Sequence, residues 1–595
     1  MEQVTVTLPI SQTAGWVILT ALGIAAATVL VWLTLEESRR DRPRGPLALL
    51  TAFGWAMVPI WLLIFAGTLW QLWAMLTGSA SSLTGGGLGA GALIAAVLGA
   101  PFVIWGTVLK QRTVDFQKEG HITDRITSAV EQLGAEKTVE CRGRGLSYKI
   151  GAEHHNVYEY DDEPFTYPAN ATDIEKGEWE PAKRTKANIE VRIGAILSLE
   201  RIAQDSTRYD KGRDHVRVME ILCAYIRENS NATPPVDFPE PEWEPLKDNP
   251  TEEERAAHLK KRRDRFGGFS GSSKAYKWTQ SLPEPRADIA QAFLVLGRRT
   301  ADQRKVEAAW PDPPDEDTEW VFDRPCPELP EEAVRPPEET KLFKEKLDAW
   351  KQTLTDYPGY RLDLRGANLQ RADLSATRPD RSGAVFSGAR LQGARMEGAN
   401  LTNARMEGAT LWFVWMAWTE LIGVSMEAAD LKYGHMEGAH GVGSRVEGAS
   451  ISGARIQGAD FSSARMERAN LSEARMEGAE LGFARMQGAN LSEARMDKTT
   501  DWTGVSLSGA NVRSVDFRET TISEEQIKTA FGDGSTKLPE DFQRPAHWPE
   551  AGLDWRNFHT EYQEWLQNPG AYTPPAPEQY EGQAADDEET PEPPA

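Results

Sequence analysis

Cysteine is scarce here: Cys141, Cys223 and Cys326 are the only three in 595 residues. Such wide separation excludes a disulfide framework and suits free thiols in a reducing compartment. Catalytic signatures are missing too. There is no nucleophile elbow, zinc motif, Walker pattern or convincing carboxylate pair, and Gly271-Ser272-Ser273-Lys274 lacks the leading spacing of a phosphate loop. His154 and His155, near Cys141, have no second Cys or His at ligand spacing, so no metal site is expected. These absences argue against an enzyme and against a bound cofactor. Charge is absent from Thr13 to Leu35 and from Pro46 to Leu109, and Lys and Arg are absent from the arm 1–12.

A bilayer core needs about 20 apolar residues to be crossed by a helix, and the uncharged runs supply three spans, at about 13–35, 47–73 and 88–109. The cations fix their direction. Arg39, Arg40, Arg42 and Arg44 lie in the first loop, and Lys110, Arg112 and Lys118 follow the third span, whereas the second loop has none. The positive-inside rule places the N-terminus outside and everything after residue 110 in the cytoplasm. A cleaved signal would need a basic leader and a shorter apolar run, so region 13–110 reads as an anchor.

What dominates the rest is a period of five. From Ala384 to Lys498 an apolar centre recurs at every fifth residue, as in Leu391, Met396, Leu401 and Met406, for twenty-three units in one frame. A small residue, usually Ala, stands two positions before most centres. Neither a helix (3.6) nor a flat strand (2) has this period, so the segment is a repeat architecture with its own turn. Units such as Ala399-Asn400-Leu401-Thr402-Asn403 and Ala459-Asp460-Phe461-Ser462-Ser463 resemble the pentapeptide-repeat family. The resemblance implies a right-handed quadrilateral β-helix of four units per coil, with the centre and the small residue inward and the other three positions facing water. Leu364, Leu369 and Leu374 extend it before a two-residue insertion around Arg378 to Ser382, and Trp502, Leu507, Val512, Phe517 and Ile522 after a one-residue slip. The rod then spans 361–522.

A period of ten lies inside the five. Ala-Arg-Met-Glu units alternate with Ala-Asn-Leu-Ser units, so Arg395, Arg455, Arg475 and Arg495 should line one face and Arg405, Arg445, Arg465 and Arg485 the opposite one. Acidic residues two positions later, such as Glu397, Glu407 and Glu477, give these faces surface ion pairs of little individual worth, about 0 to 1 kcal/mol each. Nine of the thirteen Met residues occupy centres and serve as adaptable core filler.

Between anchor and rod, residues 111–310 read as a helical domain. The spacing of Ile122, Ile126, Val130 and Leu133, and of Val216, Met219 and Tyr225, marks amphipathic helices. Glu190 to Ile202, Ile122-Thr123-Asp124-Arg125 and Ala287 to Arg299 resemble the helical cap of membrane-anchored bacterial pentapeptide-repeat proteins, which implies short paired helices of HEAT-like kind. An insert, 136–185, departs from that pattern, and 233–284 reads as a proline-rich linker carrying the basic cluster Lys260, Lys261, Arg262, Arg263 and Arg265, a candidate for anionic lipid. Residues 311–360 read as an acidic, proline-rich linker with a lead-in helix, 523–569 as a C-terminal cap resembling the closing segment of related proteins, and 570–595 as a disordered acidic tail.

Two functional classes remain: a membrane-tethered scaffold for an unidentified cytoplasmic protein, and a DNA mimic like the topoisomerase-protecting members of the family. From Arg361 to Thr520 there are 19 Lys and Arg against 20 Asp and Glu, so although the chain carries −23 the rod is nearly neutral. That is a poor imitation of a polyanion, and nucleic acid is not an expected partner. Between Leu411 and Trp418 the outward positions turn aromatic: Trp412, Phe413, Trp415 and Trp418. Clustered exposed rings are typical of binding surfaces, and these four are the candidate contact site, to be covered by a partner protein, by the chain itself or by the membrane surface.

Overall fold

In the computed structural model, described residues are 122–165, 167–168, 170–241, 243, 251–266, 273–329, 337–375, 383–518, 520–577 and 580, with seven isolated positions before residue 122. The chain divides into two units, Met1–Asp124 and Arg125–Ala595. The membrane spans expected at about 13–35, 47–73 and 88–109, and the last fifteen residues of the tail, 581–595, lie outside the described residues. Among the described residues no helix is long and apolar enough to cross a membrane.

The five-residue period closes into a β-helix. Parallel bridges join residues twenty apart, from Val385 with Arg405 through Arg475 with Arg495, so each coil holds four pentapeptides and has four faces. We call them A (Arg390, Thr410, Asp430, Ser450), B (Arg395, Trp415, His435, Arg455), C (Asn400, Glu420, His440, Asp460) and D (Arg405, Ser425, Arg445, Arg465). Centres and small residues are buried throughout; Leu421, Met466, Ala469 and Leu471 are all fully enclosed. Asp363 bridges Arg390, twenty-seven residues on, so the insertion after residue 375 is seven residues long, not two: it is two modulo the repeat, and spacing alone misses the extra unit. The one-residue slip appears where Glu480 bridges Asp501. The coil does not stop at Ile522, because Phe531 pairs with Asn511 and Lys537 with Asp516. Face A therefore has nine rungs, from Asp363 to Phe531, and at about 4.8 Å between strands is about 38 Å long.

Open coil ends expose unpaired strand edges that must be covered. At the first coil the helices do this. Ile189–Tyr209, capped by Asn188, buries Ala195, Ile196, Leu199 and Ile202 against His215–Asn229, which buries Val216, Met219 and Leu222. Ala287–Gly297 packs on both, and Ala301–Ala309 follows a Thr300/Gln303 capping box. The assembly meets the coil through backbone, where Val385 N donates to Gly297 O at 2.9 Å and Tyr360 N to Glu307 O at 2.8 Å, and through the Asn368 side chain, whose Nδ2 donates to Thr233 O at 3.0 Å. Inside lies a polar node in which His215 Nε2 is 2.9 Å and Arg299 Nε 3.2 Å from Glu307 Oε1, all three residues buried. At the other end Trp548 Nε1 donates to Ala530 O at 2.8 Å, and Trp565 of the helix Trp555–Gln567 packs on Phe531 with ring centres 5.1 Å apart.

The insert 136–185 is a four-stranded antiparallel sheet. Strand β1 (Glu136–Ile150) pairs with β2 (Glu153–Tyr160) along one edge and with β3 (Thr172–Lys176) and β4 (Glu180–Ala187) along the other. His155 serves its small core, stacked on Tyr148 at 5.2 Å, and Cys141 donates to Ala182 O.

Both segments read from sequence as linkers are straps laid along the rod. The first, through 233–241, Trp243 and the helices Glu252–Phe266 and Lys274–Ser281, lies on face B. Asp237 pairs with Arg395 at 2.8 Å, Arg475 donates to Trp243 O at 2.8 Å, and Arg262 pairs with Asp497 at 3.3 Å. The second, 320–329 with the helix Pro337–Thr355, lies on face D and its edge. Asp323 pairs with Arg405 at 2.8 Å, Glu328 with Arg465 at 3.0 Å, and Arg485 donates to Leu329 O at 2.6 Å. Trp320, Phe322, Leu347, Trp350 and Leu354 form that strap's own apolar core.

Candidate interaction surface

Each unit turns at the second residue after its centre, and that residue is left-handed: φ is +58° at Asn403, +55° at Phe413, +52° at Trp418 and +56° at Tyr433. Glycine occupies most such corners because the left-handed region costs it nothing. Where a large residue stands there, it leans onto the following coil, twenty or twenty-one residues on, and that coil usually answers with glycine. A Cβ on Gly438 would lie 2.4 Å from Trp418, one on Gly453 2.6 Å from Tyr433, and one on Gly504 2.6 Å from Phe483.

The four aromatic residues of the repeat do not form one patch. Trp418, on the B/C edge, is covered by the first strap: Phe238 lies 4.6 Å and Trp278 5.5 Å from it between ring centres. Trp415, on face B, is held between the Arg395 guanidinium at 4.7 Å and the His435 ring stacked at 3.9 Å, and is 36% exposed. Trp412 and Phe413, on the A/B edge, stay open at 42% and 56%. Phe413 stacks on Tyr433 at 5.4 Å, Tyr433 is itself 51% exposed, and the Lys432 ammonium sits 5.5 Å from the Trp412 ring centre. Sequence reasoning took the four rings as neighbours because they are close along the chain. In fact they point from one face and two edges, and the ring that completes the exposed stack, Tyr433, is one coil away. The signal for it was present: 413 and 433 differ by one coil.

Faces B and D correct the expectation that only two positions per unit face inward. The residue after the centre is buried in most units there: Glu397, Glu427, Glu447, Glu467 and Glu477 are all under 5% exposed. Beneath the second strap each carboxylate meets the arginine of the next coil, Glu427 with Arg445 at 2.9 Å, Glu447 with Arg465 at 2.7 Å and Glu467 with Arg485 at 2.7 Å. Burial, with Glu407 stacked beside it, pushes the Glu427 carboxyl up to about 8, against the pull of Arg445. Burial likewise lifts Glu447 to about 7, again opposed by arginines. The glycines that follow these acids make room for the straps: Gly478 faces Arg262, Gly398 faces Thr279, and Gly408 faces Phe322 and Leu354, while Gly458, after the neutral Gln457, faces Phe266 in the same way.

The basic cluster divides. Arg262 turns to the rod, and Arg265 donates to Pro241 O at 2.5 Å with its guanidinium 5.0 Å from the Phe238 ring, so both fasten the strap. Lys260 and Lys261 are exposed; the side chain of Arg263 lies outside the description. All three cysteines are free, and burial pushes the Cys223 thiol up to about 12. Among the described residues no group of His, Cys, Asp or Glu is placed to hold a metal ion.

Among the described residues no strap lies on faces A and C. Face A forms the floor of a groove of about 560 Å³, walled on one side by Lys351, Leu354 and Tyr357 and on the other by Trp412.

A closed coil of four pentapeptides stacked at a twenty-residue interval defines a pentapeptide-repeat solenoid. The model of that family, pentapeptide repeats, matches eight copies over residues 382–411, 454–493 and 484–523. Similar solved structures include HetL, a pentapeptide repeat protein involved in heterocyst differentiation regulation in the cyanobacterium Nostoc, at 20% identity over 33% of this chain and 94% of that one, TM-score 0.22. QnrB1, a plasmid-mediated fluoroquinolone resistance protein, is similar at 16% identity over 34% of this chain and 97% of its own, TM-score 0.23. A pentapeptide repeat protein of the Arabidopsis thaliana thylakoid lumen is similar at 27% identity over 20% and 76%, TM-score 0.14. No curated protein matches the sequence.

Proposed function

We propose that this chain is a membrane-tethered protein-interaction scaffold whose solenoid presents the A/B edge to a cytoplasmic partner protein. One observation carries the reading. The chain covers faces B and D with its own straps and covers Trp418, yet Trp412, Phe413 and Tyr433 remain in water as a stacked edge. Large rings left exposed beside an open polar face are the composition of a protein-binding patch. Tethering rests on the uncharged runs before residue 110 and on the arginines of the first loop, which orient the N-terminus outside and the rod inside, as in the inner membrane of a bacterium. Lys260 and Lys261 are the members of the basic cluster that an anionic headgroup would meet first.

A DNA mimic is the weaker alternative. Such a mimic needs a continuous acidic surface, and here two of four faces are occupied by straps while the coil region nets about −1.

The test is Trp412→Ala with Phe413→Ala in the full chain. Neither side chain is part of the buried core, so the melting temperature should stay within a degree or two of the parent while the partner adduct formed by crosslinking in membranes is lost. A clear drop in melting temperature with the adduct retained would mean the edge is internal packing.

A further inference from the structure

The open groove on face A has a charge that its surroundings do not balance. Its floor is built from successive rungs, Thr410, Asp430 and Ser450, which present one polar side chain per coil at about 4.8 Å spacing. Its closed end is formed by Arg361 and Arg390, and its wall by Lys351 from the helix Pro337–Thr355. Against these three cations the lining holds one carboxylate, Asp430, which Lys432 already approaches at 3.5 Å. Arg361 is engaged, donating to Leu354 O at 2.7 Å and to Gly388 O at 3.3 Å. Arg390 is exposed, and among the described residues no carboxylate lies within ion-pair reach of it or of Lys351. This is an unusual place for unpaired cations in a chain whose overall charge is −23.

We infer that this groove receives an extended, acidic peptide segment of the partner protein, with carboxylates at Arg390 and Lys351 and an apolar or ring-bearing residue against Trp412. The inference rests on the scaffold reading and adds the chemistry of the partner. An extended chain suits the site because its repeat of about 3.3 Å per residue runs along a floor of evenly spaced rungs, and the open Trp412 face offers a flat anchor beside them. Charge complementarity gives such a peptide a faster encounter than a neutral one and makes its binding weaken with salt.

The test uses the full-length chain in mild detergent and fluorescence anisotropy of labelled octaglutamate, with octalysine, a neutral Ser-Gly octapeptide and an eight-nucleotide oligothymidylate as comparisons. Octaglutamate should bind, the neutral peptide and octalysine should not, and Arg390→Glu should weaken octaglutamate by about tenfold or more. Trp412→Ala should weaken a Trp-bearing acidic peptide and leave octaglutamate nearly unchanged. Because Arg390 is exposed, its charge reversal should not disturb folding, and an unshifted melting curve verifies this. The combined variant Arg390→Glu, Lys351→Glu should gain octalysine binding. Octaglutamate binding that is absent, or unchanged by Arg390→Glu, overturns the inference, as does oligothymidylate binding as tight and as sensitive to Arg390→Glu, which would make the groove a general polyanion site. These failures are separable from failure of the scaffold reading, which is decided by the crosslinked adduct of the Trp412→Ala, Phe413→Ala variant.

Discussion

A single position in the repeat changes its meaning with the face it occupies. The residue after the centre is at least partly exposed in most units of faces A and C, as at Thr402, Trp412, Lys432 and Ser472, whereas on faces B and D it is an enclosed Glu in the units of Met396, Met426, Met466 and Met476. Glu427 and Glu447 are therefore acids held with raised affinity for a proton, up to about 8 and about 7 from an ordinary 4.5. The native state keeps these protons between pH 4.5 and pH 7 to 8 while the unfolded chain has lost them, so this part of the stability is full below pH 4.5 and declines as pH rises through that window. Glu427→Gln keeps the shape and the acceptor for Arg445 but carries no charge. Its melting temperature should match the parent near pH 5 and exceed it near pH 9, flattening the alkaline decline by roughly 1 to 3 kcal/mol. Parallel melting curves for the two proteins across that range would show that Glu427 is ionised throughout. The corner residues carry a second lesson: Trp418, Tyr433 and Phe483 each find their glycine one coil on, at Gly438, Gly453 and Gly504, so the coil length can be read from residue sizes alone.

At the scale of elements, the straps are what the amino-acid pattern concealed. The β-helix was legible because a period of five has one structural solution, and the paired helices because apolar residues recur at three and four. Neither strap has a period. Residues 233–241 and 320–329 are rich in Pro and acids, a composition shared with unfolded linkers, and they are held by rod partners about eighty or more residues away, as when Asp237 meets Arg395 and Asp323 meets Arg405. Yet the Arg-Met-Glu-Gly units recorded the straps indirectly. Those units supply a buried acid, its arginine and a glycine flush with the surface on the two faces that are sheathed, whereas the Leu units supply Asn, Ser and Thr on the faces left open. The sheet 136–187 was illegible for a different reason: β1 is long and only three of its fifteen residues are buried, with an irregular alternation that fits no simple template. Arg262 tests the first strap. It is partly buried against Gly478 and paired with Asp497, so Arg262→Glu sets like charges together and should cost about 1 to 2 kcal/mol of local docking. Hydrogen exchange should show lost protection in the helix Glu252–Phe266 with the coils from Leu421 to Leu471 unchanged. Protection that is kept in that helix would show the strap to be held elsewhere.

At the scale of the molecule, the described coils, helical cap and straps leave two solenoid faces without a strap, and the topology proposed for the N-terminal region decides what those faces meet. With the N-terminus outside, alkaline phosphatase fused after residue 40 should be inactive, as should a fusion after residue 120. Activity after residue 120 would place the rod on the far side of the membrane and remove every cytoplasmic partner from consideration. The central claim, that the A/B edge is a partner surface, is tested most directly by a photoreactive phenylalanine analogue placed in turn at positions 413, 418 and 483 of the full-length chain in its native membranes. Position 413 should give an intermolecular adduct of one size, competed away by excess octaglutamate. Position 418, beneath Phe238 and Trp278, should react only within the chain, and Phe483, exposed at 67% on the C/D edge, should give no adduct of that size. The same adduct from 413 and 483, or none from 413, would contradict the account.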